Sequence, residues 1–186
     1  MKTRFPFVMK TIAAAASAAT ILMVLLYRHF WQDWILSCAI SFGTTAYHFV
    51  MRLAVGYLLV RFTGYDFDYR HPWFQPRAWE PAFYKRLNIK TWKKDLPTYA
   101  PEQFNLREHS LFQVIRNMCG AEVVHEIIMM LSFLPLLTVP LFGAFPVFLI
   151  TSTLAALYDS IFVMAQRFNR PRLVRIYEKQ EANAHE

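Results

Sequence analysis

The chain has 186 residues, of which 55% are hydrophobic and 17% aromatic, and it carries a formal net charge of +7. Apolar stretches long enough to cross a bilayer recur along it, which excludes an ordinary soluble domain with one core. The basic residues are spread over three segments bordering those stretches, with no nucleic-acid motif, which excludes nucleic acid as a partner and assigns the charge to topology and anionic lipid.

Taken in order, the first candidate span is 11–27, with Lys10 at its entrance. A secretory signal is the competing reading, because Lys2, Arg4 and Lys10 precede an alanine-rich core. The core ends at Tyr27-Arg28-His29-Phe30-Trp31 rather than at small residues, so the segment is expected to stay as an uncleaved helix. Ile35-Leu36-Ser37-Cys38 has the look of a lipoprotein cleavage box but sits inside the second span, 34–60, which also carries His48 and Arg52. The third span is read as 119–137 and the fourth as 141–165, the latter interrupted only by Pro146 and Asp159; these two also allow one re-entrant hairpin. The expected fold is all-α: a single membrane domain over 1–186, a bundle of about four transmembrane helices. Lys and Arg favour short cytoplasmic segments, which places both termini and the segment 63–117 in the cytoplasm and the protein in the cell membrane. Cys38 and Cys119 are too few and too deep for a disulfide framework and are read as small core residues.

The segment 63–117 mixes Trp, Tyr and Phe with charges and turn formers, and a short helix is expected near 82–87. Tryptophan and tyrosine beside lysine and arginine suit the headgroup region, so short amphipathic pieces on the inner leaflet are expected. Arg70-His71-Pro72-Trp73-Phe74 partly matches a His-Pro-x-Tyr element of small membrane methyltransferases, with Phe74 in place of the tyrosine. That makes an S-adenosylmethionine-dependent methyltransferase the alternative enzyme reading.

Ionisable residues within spans are costly and so invite a functional reading. Glu122 and His125 are three apart on one helix face. A carboxylate beside an imidazole fixes its tautomer and stabilises the imidazolium, as a general base requires. The bland reading is an interfacial polar turn. A single Glu-x-x-His among six histidines is not enough for a di-iron bundle, so no metal is expected. His48 and Arg52 share a face in the inner half of the second span, and Asp159 lies about two turns before Arg167. Arg52 and Asp159 are thereby candidates to converge on Glu122 and His125, or to form a structural ion pair. Beyond the last span comes a basic tail, 166–186, reading Gln166-Arg167-Phe168-Asn169-Arg170-Pro171-Arg172-Leu173. Arginines 167, 170, 172 and 175 suit bidentate phosphate binding, or simple positive-inside anchoring.

Four of these elements together resemble the glycosyl-4,4′-diaponeurosporenoate acyltransferases of carotenoid biosynthesis. They are Arg77-Ala78-Trp79-Glu80, Ile89-Lys90-Thr91-Trp92-Lys93-Lys94-Asp95-Leu96-Pro97, Ala121-Glu122-Val123-Val124-His125 and the run 166–173, in the family's order over about 64–175. Glu126 stands where relatives often carry tryptophan. The resemblance implies transfer of a fatty acyl group onto a hydroxyl of a lipid or glycolipid acceptor. It makes Glu122 and His125 the catalytic candidates, with Glu122 orienting the His125 base, and Arg167, Asn169, Arg170 and Arg172 the binding candidates. Arg52, Asp159 and Trp92 join these as substrate-facing groups, Arg52 or Trp92 as oxyanion donor. No cofactor is implied beyond an acyl-CoA or lipid acyl donor acting as substrate. The implied partners are that donor, the lipid acceptor and the membrane itself, and exposed aromatic faces allow a homodimer. A non-enzymatic lipid-binding or assembly module is the reading from outside enzymology.

Overall fold

The computed structural model describes residues 4–184; Lys2, used above to orient the first span, lies outside them. Among the described residues every regular element is helical. Helices α1 (Phe5–Phe30), α2 (Asp33–Thr63), α5 (Leu111–Leu131) and α7 (Phe145–Ala184) are the long ones. Between α2 and α5 come a 3₁₀ turn at Pro72–Phe74, α3 (Glu80–Arg86), α4 (Ile89–Trp92) and 3₁₀ turns at Lys93–Asp95 and Pro101–Phe104. A 3₁₀ turn at Leu134–Thr138 and α6 (Val139–Phe142) extend α5. Four segments, Phe5–Phe30, Asp33–Thr63, Leu111–Phe142 and Phe145–Ala184, are long and apolar enough to cross a membrane.

Each of these segments has ends that differ from the sequence reading, most of all the third and the fourth. The third span begins at Leu111 rather than 119 because its first polar residues find partners. Arg116 donates to Asp66 at 2.6 Å, and the Asn117 amide donates to the Gln103 carbonyl at 2.7 Å. Pro146 does not interrupt the fourth span. It stands in the first turn of α7, where its missing N–H has no helical acceptor to lose. The basic tail is the continuation of α7, which runs on through Pro171.

The chain divides into two compact units, Met1–Tyr57 with Ile127–Tyr158, and Leu58–Glu126 with Asp159–Glu186. In the first, α1 buries Met9, Ala13 and Ala16 on one stripe, and the Gly43 position of α2 lies against the Thr20 side chain. Small residues let helices approach closely where lipid supplies no hydrophobic drive between them. Phe7, Ile21, Leu22 and Leu25 of α1 are exposed, as lipid-facing side chains must be. The Tyr47 hydroxyl donates to the carbonyl of Leu131, the last residue of α5, at 2.6 Å, which satisfies one of the carbonyls a helix end leaves open.

The second unit has its core in Tyr69, Phe74, Ile115 and Cys119, with Leu173, Val174 and Tyr177 of α7 packed against them. Gly64 (φ +54°) and Tyr65 (φ +57°) end α2 in the left-handed region and lay the Tyr65 ring on α5. A Cβ at Gly120 would sit 2.1 Å from that ring. Gly120→Ala is therefore expected to destabilise by about 1–3 kcal/mol, the usual cost of overpacking. Thermal unfolding in detergent should show the penalty shrinking in a Tyr65→Leu background; an unchanged penalty there would mean the ring is not what the glycine accommodates.

Candidate functional site

The second unit buries an ion cluster assembled from three parts of the chain. His71 starts it: its Nδ1 accepts from the Trp73 amide at 3.2 Å, capping the 3₁₀ turn that begins at Pro72. The cap turns the carbonyls of Trp73, Phe74 and Gln75 toward α7, where Arg167 and Arg170 share a face three residues apart. Arg167 donates to the Trp73 carbonyl and the Gln75 carbonyl, both at 2.9 Å. Its Nε donates to Glu80 Oε1 at 2.8 Å and its Nη1 to Glu122 Oε1 at 2.6 Å. Arg170 donates to the other Glu122 oxygen and to the Phe74 carbonyl, the latter at 2.7 Å.

Glu122 is 0% exposed, Glu80 and Arg170 2%, and Arg167 9%. Two carboxylates and two guanidiniums make the cluster neutral, and the backbone carbonyls take further donors. This is the condition under which buried charge is tolerated. Tyr84, buried beside it, has its hydroxyl pushed up to about 12, first by burial and then by the Glu80 charge.

One turn further along α5, His125 faces a different neighbour. Its Nδ1 lies 2.9 Å from Asp159 Oδ1, and the imidazole stacks flat on Phe162, with ring centroids 4.6 Å apart. The His125 side chain is 23% exposed and that of Asp159 2%. A carboxylate accepts and does not donate, so this pairing suits the imidazole tautomer that carries its proton on Nδ1 and its lone pair on Nε2. Nε2 has no protein partner among the described residues. Next to it in sequence, Glu126 accepts from the Trp73 indole N–H at 2.9 Å.

The sequence reading had Glu122 orient His125; in the structure the carboxylate in contact with the His125 ring is that of Asp159. The physical reason is angular. Residues three apart on a helix point about 60° from each other, enough for Glu122 to reach Arg167 and Arg170 while His125 meets Asp159. Arg167 and Arg170, read from the sequence as phosphate-binding candidates, direct donors to Glu80, Glu122 and backbone carbonyls. The Trp92 indole, offered as an oxyanion donor, donates to the Leu87 carbonyl at 3.0 Å. Arg52 belongs to the first unit, where it donates to the carbonyls of His48 (2.9 Å) and Ala155 (3.3 Å). Asn169 accepts from Lys93, and Arg172 is exposed.

Sequence reasoning missed Glu80 as a member of the ion cluster, and the ring under His125. Glu80 had a signal: a carboxylate directly before Pro81 at a helix start. Phe162 had a fainter one, its spacing of three from Asp159.

Residues 70–179 match the family model of glycosyl-4,4′-diaponeurosporenoate acyltransferase. No curated protein and no solved structure matches the chain. The matched stretch is more than half of the chain and contains every residue of the ion cluster and of the His125–Asp159 pair. By that match, the chain belongs to the glycosyl-4,4′-diaponeurosporenoate acyltransferase family.

Proposed function

We propose that this membrane protein transfers a fatty acyl group from a thioester or lipid donor to a hydroxyl of a glycosylated isoprenoid acceptor, with His125 as general base. The observation that carries the reading is a partly exposed imidazole whose Nδ1 is held by a buried carboxylate. Nε2 takes the acceptor's hydroxyl proton as its oxygen bonds to the acyl carbonyl carbon. Collapse of the tetrahedral intermediate breaks the bond to the donor's sulfur or oxygen, and the proton passes from Nε2 to that leaving group. Asp159 keeps the tautomer and stabilises the imidazolium; Phe162 holds the ring plane. The family match supports the reaction class. Arg61 and the arginines of α7 border apolar spans, which supports placing this chemistry at the inner leaflet of the cell membrane. Glu122, Glu80, Arg167 and Arg170 serve as the scaffold that seats α7 against the 72–80 segment.

The test is untargeted lipidomics on cells that make glycosylated isoprenoids and express the wild type, His125→Gln or an empty vector. An acylated glycolipid should accumulate with the wild type alone. Equal product from wild type and His125→Gln, at matched protein levels, would remove His125 from the chemistry.

A further inference from the structure

Beside the neutral ion cluster lies a group of cations with no carboxylate to answer them. Lys93 is half-buried. Its ammonium donates to Asn169 Oδ1 and lies 4.5 Å from the centre of the Phe168 ring. Lys90, on α4, precedes it by three residues, and Arg172 follows Asn169 by three on α7, a spacing that puts those two on one helical face. Among the described residues no carboxylate stands within ion-pair distance of Lys90, Lys93 or Arg172. The Asn169 amide N–H groups also have no protein acceptor among the described residues. Partial burial, and then the like charges of Arg172 and Lys90, hold the Lys93 ammonium below the usual lysine range. Gathering like charges around a half-buried cation is unfavourable unless an anion completes the site.

We infer that Lys93, Lys90, Arg172 and the Asn169 amide form a binding site for a phosphate group. Lys93 is fixed by Asn169 and the Phe168 face, so its position is set before a ligand arrives. Asn169 contributes N–H donors from the other side, and the exposed Lys90 and Arg172 close over the anion. Arg167 and Arg170, whose charge is already neutralised by Glu80 and Glu122, are not part of it.

Phosphate comes from two sources at such a place: the nucleotide end of a coenzyme A thioester, or the headgroup of a membrane phospholipid. The first rests on the acyl-transfer reading and the second does not. Calorimetry on the full-length protein in a neutral detergent separates them, using coenzyme A in one arm and dihexanoylphosphatidylglycerol in the other. At least one should bind the wild type, more weakly as salt rises. Lys93→Gln and Arg172→Gln should each weaken it about tenfold, the loss of one charge-assisted contact. Arg172 is exposed, so its variant keeps the fold even if Lys93→Gln perturbs it. Binding of coenzyme A identifies the donor's phosphate; binding of the lipid alone identifies a headgroup site. Neither ligand binding, or both variants binding as the wild type does, overturns the proposal. Because no turnover is measured, the site stands or falls apart from the fate of His125.

Discussion

Glu122→Ala is expected to cost on the order of 3–5 kcal/mol of folding stability, the penalty for removing one partner of a buried ionic cluster. Glu122 is fully enclosed, and both of its oxygens are taken, one by Arg167 and one by Arg170. Its removal leaves two buried guanidiniums facing one buried carboxylate, Glu80. The loss is large beside the 5–15 kcal/mol by which whole domains are stable. Thermal unfolding in detergent, followed by circular dichroism, should show it directly. Glu122→Gln keeps the shape and an acceptor oxygen but leaves a net positive charge buried, so it should also destabilise. Exchanging Glu122 and Arg170 together for apolar residues should recover much of the loss, since the cost lies in unpaired charge rather than in absent attraction. The competing idea, that Glu122 acts on substrate, makes the opposite forecast: unchanged unfolding with abolished transfer. A Glu122→Ala protein as stable as the wild type would remove Glu122 from the scaffold, and abolished transfer in that protein would place it in the reaction.

The spans were legible because crossing a bilayer leaves a coarse mark, about 20 apolar residues in a row. Their ends were not, and for one reason. A polar residue near a span looks like the water boundary until its partner is known. Arg116 and Asn117 seemed to lie before the third helix, yet Asp66 and the Gln103 carbonyl let both be helical. Arg167 and Arg170 seemed to open a tail, yet they are buried and α7 continues past them. The site followed the same pattern. Residue types and family motifs singled out His125, Glu122, Asp159, Arg167 and Arg170, and all five lie in one unit. Which carboxylate meets which base was beyond local spacing, because the partners are 34, 45 and 48 positions apart in the chain. The i,i+3 rule says that Glu122 and His125 are neighbours on a face; it does not say what each faces. The His-Pro dipeptide shows the converse. It read as half of a methyltransferase motif, while in the structure His71 caps a turn and Pro72 starts it.

Asp159→Asn should lower kcat for acyl transfer by on the order of 10²–10⁴-fold, the span that general-base assistance contributes, and leave KM for the acceptor close to the wild-type value. An asparagine of the same shape can still reach Nδ1, so folding should be affected far less than by Glu122→Ala. What it lacks is the negative charge that stabilises the imidazolium, and its amide can present a donor that moves the ring proton to Nε2. With that proton in place, Nε2 can no longer accept one from the acceptor hydroxyl. His125→Gln should give a loss of similar size. The double variant decides whether the two act as a unit. If Asp159 works through His125, removing both should cost little more than removing His125 alone. Losses that multiply instead would mean that Asp159 acts independently, and Asp159→Asn with wild-type kcat would mean that the 2.9 Å contact holds helices together rather than a base in its tautomer.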